Sequence, residues 1–217
     1  MIVVESAGEG LPCVLLHTAE GDKDLRVLRR IAEAQDGHSC KAVDLSPPLS
    51  PPPRASKRTG LDALGSLKEI FGKIPALSSV VLIVDRDAFK KEEPVRELER
   101  KLREYGYEVE GSIEELAPGR AYRAPVRVGR SLELYVAVSG EIKELEEDID
   151  KLLSLMPDEK KFTRALKNAD SRSLKEAFPG AWRALEEVER RICAQGFRAE
   201  GRPPDPRSIH AGSARAR

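Results

Sequence analysis

Apolar and polar positions alternate in blocks over the first 140 residues, and the blocks predict strands that are followed by helices. The short apolar runs typical of buried strands lie at residues 1–5, 13–18, 41–45 and 80–84. The first helical pattern begins at Asp22, with Leu25, Leu28 and Ile31 on one face. Alternating strands and helices favour an α/β fold with a mostly parallel sheet flanked by helices.

Further elements follow the same logic along the chain. Helices are expected at residues 61–71 and from about Pro94, which is a favourable residue for the first turn of a helix. Strands are expected at 107–109 and at 132–138, where apolar and more polar residues alternate. Because only the tight loop at 7–10 separates the first two strands, they can pair as a hairpin.

Beyond Gly140 the pattern becomes helical. Ile142, Leu145 and Ile149 share one face of a predicted helix, and short helices are expected over 162–166 and 181–193. The last twenty residues carry three prolines and five arginines and are expected to form a flexible tail. The predicted organisation is therefore an α/β domain at 1–139, a helical segment packed on it at 140–197, and a tail at 198–217.

Composition narrows the class of protein. The 37 basic and 37 acidic residues cancel, so overall charge favours neither nucleic acid nor a membrane surface. The three cysteines are far apart and lack zinc-ligand spacing, which indicates a reducing compartment. No apolar run has the length of a membrane helix, so a cytoplasmic protein with no membrane partner is expected. The 34% of charged residues, with a single Asn and two Gln, favour a thermophilic source.

Acidic residues follow two of the predicted strands. Glu20 comes just after the strand at 13–18, and Asp85 and Asp87 follow the apolar run at 80–84. Because ligands of open α/β sheets bind beyond the carboxyl ends of the strands, the three carboxylates can share one site. Clustered carboxylates repel one another, and a hard divalent cation such as Mg²⁺ relieves that repulsion.

Glu-Gly-x-x-Asp after one strand and Asp-x-Asp after a later one together resemble the TOPRIM domain, including its TOPRIM-like archaeal families, over roughly residues 13–110. The resemblance implies a Rossmann-like sheet and a general acid or base at Glu20. It also implies that Asp85 and Asp87 hold Mg²⁺, with Mn²⁺ as the alternative ion. The function expected from it is nuclease-like phosphodiester chemistry on DNA or RNA.

Several alternatives stay open at this point. Glu5 rivals Glu20 as the acid or base, and Glu147 with Asp148 can add a further acidic site. The Asp85-x-Asp87 pair also resembles the first motif of haloacid-dehalogenase-type phosphatases, in which the first Asp is the nucleophile. Nucleotide-sugar glycosyltransferases use Asp-x-Asp too. The non-enzymatic alternative is a TOPRIM-like scaffold that binds nucleic acid or a protein partner, and the oligomeric state is open.

Overall fold

The structure is a computed structural model that describes residues 2–4, 14–18, 21–35, 41–44, 60–71, 74, 77–89, 93–142 and 144–193. Glu5, Glu20, the proline-rich segment at 46–54 and the predicted tail lie outside these residues. None of the described helices is both long and apolar enough to cross a lipid bilayer.

The described strands form one mixed sheet, most of which is parallel. In chain order the strands are β1 Ile2–Val4, β2 Val14–Thr18, β3 Lys41–Asp44, β4 Ser79–Asp85, β5 Glu108–Val109, β6 Glu114–Ala117, β7 Ala121–Arg127 and β8 Ser131–Ser139. Their order in the sheet is β1-β3-β2-β4-β8-β7-β5, and β6 also pairs with β7. The five strands from β1 to β8 run parallel, whereas β7 runs antiparallel to β8, β5 and β6.

The predicted hairpin between the first two strands is wrong. β1 pairs in parallel with β3, and β3 separates it from β2. The connection between β2 and β3 passes through a helix, as parallel neighbours require. A short loop permits a hairpin but does not enforce one, and the apolar character of both strands suits a sheet covered on both faces.

Helices cover both faces of the sheet. They are α1 Asp22–Ala34, α2 Leu64–Phe71, α3 Pro94–Glu104, α4 Leu145–Leu155, α5 Phe162–Asn168, α6 Ser171–Ala177 and α7 Pro179–Val188. A 3-10 turn at Gly60–Ala63 precedes α2, and a π-helical turn at Glu189–Cys193 follows α7. Pro94 stands at the start of α3 as the sequence predicted.

The buried apolar residues that the structure describes form two clusters, one on each face of the sheet. In β4, Val81 and Ile83 point into the cluster formed with α1 and α4 to α7, while Val80, Leu82 and Val84 point into the cluster formed with α2 and α3. Every one of these side chains is almost fully buried. A strand buried on both faces reads as a continuous apolar run, which is why β4 was recognisable in the sequence.

The C-terminal helices pack closely against the sheet. A Cβ atom at Gly180 in α7 would lie 2.4 Å from the carbonyl oxygen of Arg120 and 2.7 Å from that of Val138, so only glycine permits this approach. The face predicted for the helix beyond Gly140 was wrong at one residue. Ile142 lies before α4 rather than in it, and the residue is 84% exposed. Sequence periodicity also missed β6, β7 and α6.

Candidate functional site

The centre of the parallel sheet forms the crevice in which the predicted site would lie. β2 and β4 are adjacent and parallel, and Thr18 pairs with Ile83 in their register. In the sheet, β2 lies between β3 and β4. The chain runs from β2 to β3 on one side and then crosses to β4 on the other side, where β4 is the neighbour of β8. This is a topological switch point, and in open α/β sheets ligands bind beyond the strand ends at such a point.

Asp85 is the last residue of β4 and pairs in register with Ser139 of β8. Its Oδ1 atom accepts a hydrogen bond from the backbone N–H of Leu145 at 3.0 Å. Leu145 is the first residue of α4, so the carboxylate satisfies one of the unpaired amides of that helix and interacts favourably with its dipole. Asp85 therefore fixes the start of α4 against the carboxyl edge of the sheet.

Asp87 lies beyond the strand, in the 3-10 turn Arg86–Ala88, and is exposed. The backbone N–H of Phe89 closes that turn on the carbonyl of Arg86 at 3.2 Å. In a continuous strand, Asp85 and Asp87 would point to the same side because side chains alternate. Since the strand ends at Asp85, it is the turn and not the strand that sets the position of Asp87.

The strand that precedes Glu20 is described, although Glu20 itself is not. β2 ends at Thr18, two residues before Glu20 in the sequence. His17, the penultimate residue of β2, lies between the buried and exposed extremes, and burial lowers its pKa to about 4. The imidazole is therefore neutral at physiological pH.

The later acidic pair has partners within the fold. Asp148 forms a two-pronged ion pair with Nη2 of Arg120, at 2.8 and 2.9 Å, and also accepts the backbone N–H of Gly140 at 2.9 Å. Burial raises the pKa of Asp148, while the Arg120 guanidinium acts in the opposite direction. Glu147 accepts the backbone N–H groups of residues 141 and 142 at 2.7 and 2.8 Å. Both carboxylates thus hold the chain between β8 and α4.

A polar cleft of about 400 Å³ lies beside this edge. Its walls come from the turn between β6 and β7, from the start of α4 and from the junction of α6 and α7, and its charged lining includes Arg86, Arg120, Glu141, Glu147, Asp148 and Lys151. Arg86 donates from Nη1 to the carbonyl of Gly119 at 3.1 Å. Sequence reasoning missed this cleft because its walls lie up to 93 positions apart in the chain. The one local signal that could have pointed to it is the position of Arg86 between two candidate ligands.

Within the part of the chain that the structure describes, no group of three or more His, Cys, Asp and Glu side chains is arranged to hold a metal ion. Glu20, the predicted general acid or base, lies outside that part. Comparison of the chain with protein-family models, with curated proteins and with solved structures gave no significant match.

Proposed function

We propose that the carboxyl edge between β2 and β4 binds a divalent cation, Mg²⁺ or Mn²⁺, and performs nuclease-like phosphodiester chemistry on DNA or RNA. The observation that carries the proposal is the adjacency of β2 and β4, whose parallel register brings both strand ends to one edge. The acids expected to cooperate, Glu20 on one side and Asp85 and Asp87 on the other, follow those two strands. The chemistry assigned to these acids is what the resemblance to the TOPRIM domain implies.

The donors available at this edge suit a hard cation. Asp85 and Asp87 offer carboxylate oxygens, which Mg²⁺ prefers, and Mg²⁺ needs only one or two protein carboxylates because it keeps several waters. A carboxylate has acceptor sites on two oxygens, so the hydrogen bond from Leu145 is compatible with a role as ligand. Asp87 is exposed and accessible to an ion from solvent. A cation held there would neutralise charge developing on the phosphate oxygens.

The remaining groups have separate roles in this proposal. Glu20 would act as general acid or base on the attacking or leaving oxygen. The N-terminal end of α4 keeps the ligand residue Asp85 fixed, since a partly buried hydrogen bond to a helix amide restricts the rotamer of its side chain. His17, neutral at physiological pH, adds no positive charge that would repel the cation.

The test is a cleavage assay on labelled single- and double-stranded DNA and RNA with Mg²⁺, Mn²⁺ or EDTA. The wild type is compared with Asp85→Asn/Asp87→Asn, in which the amide oxygen of the first residue can still accept the Leu145 N–H. The matched control is Asp150→Asn/Asp158→Asn, which removes two exposed carboxylates elsewhere. We expect metal-dependent cleavage by the wild type and the control, with a loss of at least about a hundredfold in the test variant. Equal activity in all three proteins would refute the assignment.

One observation favours a second candidate, a phosphatase with Asp85 as nucleophile. Asp85 ends the strand whereas Asp87 lies in the following turn, so the two carboxylates occupy unlike positions, as a nucleophile and an acid/base would require. Brief incubation with a labelled phosphate monoester, followed by acid quenching, distinguishes the candidates. A trapped acyl phosphate that disappears in Asp85→Asn would favour the phosphatase, and metal-dependent cleavage of diesters without a covalent intermediate favours the nuclease.

A further inference from the structure

Arg86 connects the polar cleft to the proposed cation position, although Asp85 and Asp87 do not themselves line the cleft. Arg86 directly follows Asp85 and contributes to the cleft wall. On the other side, Glu147 and Lys151 belong to α4, the helix whose first amide is bonded to the Asp85 carboxylate. A chain-like ligand with one group at Asp85 would therefore pass its neighbouring group into the cleft.

Some of the charged side chains that line the cleft are bonded to other protein groups, and others are exposed. Arg120 and Asp148 neutralise each other and form a fixed wall, with Arg120 also donating to the carbonyl of Gly140 at 2.8 Å. Glu147 is bound to two backbone amides. Lys151 is exposed, and Glu141 at the rim is exposed as well. The cations of the cleft that lie outside the Arg120–Asp148 pair are thus Arg86, which follows β4, and Lys151, which belongs to α4.

Arg86 is held in an orientation suited to bind an anion. Its Nη1 atom donates to the carbonyl of Gly119, which also lines the cleft. Gly119 has a φ of 64°, a conformation that glycine adopts without strain. The guanidinium also lies near the Tyr122 hydroxyl. Burial, aided by Glu115, raises the pKa of that hydroxyl, and Arg86 lowers it. A planar guanidinium fixed at one nitrogen keeps further donors in a fork that matches phosphate oxygens.

We infer that this cleft binds a phosphate of a nucleic-acid strand, next to the phosphate at the cation position, through Arg86 and Lys151. The inference rests on the proposed function for the position of the reacting phosphate. It extends that function by making the substrate class a strand with at least one phosphate beyond the scissile one. A single isolated phosphodiester would leave Arg86 and Lys151 without a ligand and would be a poor substrate.

The test measures strand binding in EDTA, where no cation contributes. Fluorescence anisotropy of a short labelled oligothymidylate is recorded for the full chain, for Arg86→Gln/Lys151→Gln, and for Lys160→Gln/Lys167→Gln, which removes two exposed positive charges outside the cleft. We expect at least about tenfold weaker binding in the cleft variant only. The slope of log K against log salt should also fall by about 0.7 for one lost phosphate contact on a single strand.

Equal binding by the cleft variant and the control would overturn the inference, as would a wild type that does not bind the strand. Lys151→Gln alone serves as a second variant, since Lys151 is exposed and its replacement leaves the Arg86–Gly119 hydrogen bond intact; it should weaken binding in the same direction. Failure here is distinct from failure of the proposed function. Loss of cation-dependent cleavage in the Asp85 and Asp87 variant is measured independently of strand binding in EDTA.

Discussion

Asp148 and Asp87 lie near the same edge of the sheet but differ in burial and in the partners of their carboxylates. The Asp148 side chain is 8% exposed and is bonded to Arg120 and to a backbone amide. Asp87 is exposed in a short turn. A buried carboxylate must be paired for the fold to tolerate it, whereas an exposed one can serve a ligand at little cost to stability. Two acids that look alike in the sequence therefore have different roles: Asp148 stabilises the fold, whereas Asp87 is available to a ligand.

The largest expected effect comes from Asp148→Ala. This change leaves the Arg120 guanidinium, 16% exposed, without its carboxylate and leaves the Gly140 N–H without its acceptor. We expect a loss of about 3–5 kcal/mol in the free energy of unfolding, measured by urea denaturation. Asp150→Ala, an exposed position on the same helix, should change it by less than about 0.5 kcal/mol. Similar values for the two variants would remove the distinction between buried and exposed acids.

A second test uses the partly buried imidazole of His17 in β2. Because the pKa of His17 is lowered to about 4 by burial, the unfolded chain binds more protons than the folded one between about pH 6.5 and pH 4. Stability should be full above pH 6.5 and should fall by up to about 3 kcal/mol as the pH is lowered to 4. Denaturation across this range should show the decline in the wild type and a smaller one in His17→Gln. Parallel curves would show that His17 is not desolvated.

A smaller effect is expected at Asp85. Removing the acceptor of the Leu145 N–H by Asp85→Ala should cost about 1 kcal/mol, the usual value for a lost helix cap. Asp85→Asn keeps an oxygen acceptor and should retain most of that stability. Thermal unfolding of the two variants measures the difference. If both unfold like the wild type, the carboxylate has no role in holding α4.

The smallest effect on stability is expected for Asp87→Asn. Because Asp87 is exposed, its replacement should change the free energy of unfolding by less than about 0.5 kcal/mol. The Asp87→Asn variant should nevertheless lose cation binding or bind the cation much more weakly, since Asp87 is proposed as a ligand. Denaturation and metal titration of the same sample separate the two properties. A variant that binds the cation normally would leave Asp85 as the remaining candidate ligand of the pair.

Local patterns in the sequence were sufficient for several elements. The continuous apolar run of β4, the alternation in β8 and the helical period of α1 and α3 are each properties of neighbouring residues, and these elements were found near their observed bounds. The α/β class with a largely parallel sheet followed from their order. The antiparallel part of the sheet was not predicted, because β7, which contains Tyr122 and Arg123, shows no clean alternation of apolar and polar residues.

Long-range pairing was beyond the sequence. The partner of Asp148 is Arg120, 28 positions earlier, so the pattern Glu147–Asp148 gave no sign that the acid is structural. The position of Asp87 depended on where β4 ends, which is a matter of hydrogen bonding and not of residue type. The parallel pairing of β1 with β3 was likewise set by tertiary packing.

The cation proposed at Asp85 and Asp87 is tested most directly by calorimetric titration of the full chain with Mg²⁺ and Mn²⁺. The wild type and Asp150→Asn/Asp158→Asn should bind the ion with equal affinity, and Asp85→Asn/Asp87→Asn should give only the heat of dilution while it stays folded. Cation binding by the folded test variant with the wild-type affinity would contradict the proposal that these carboxylates form the site.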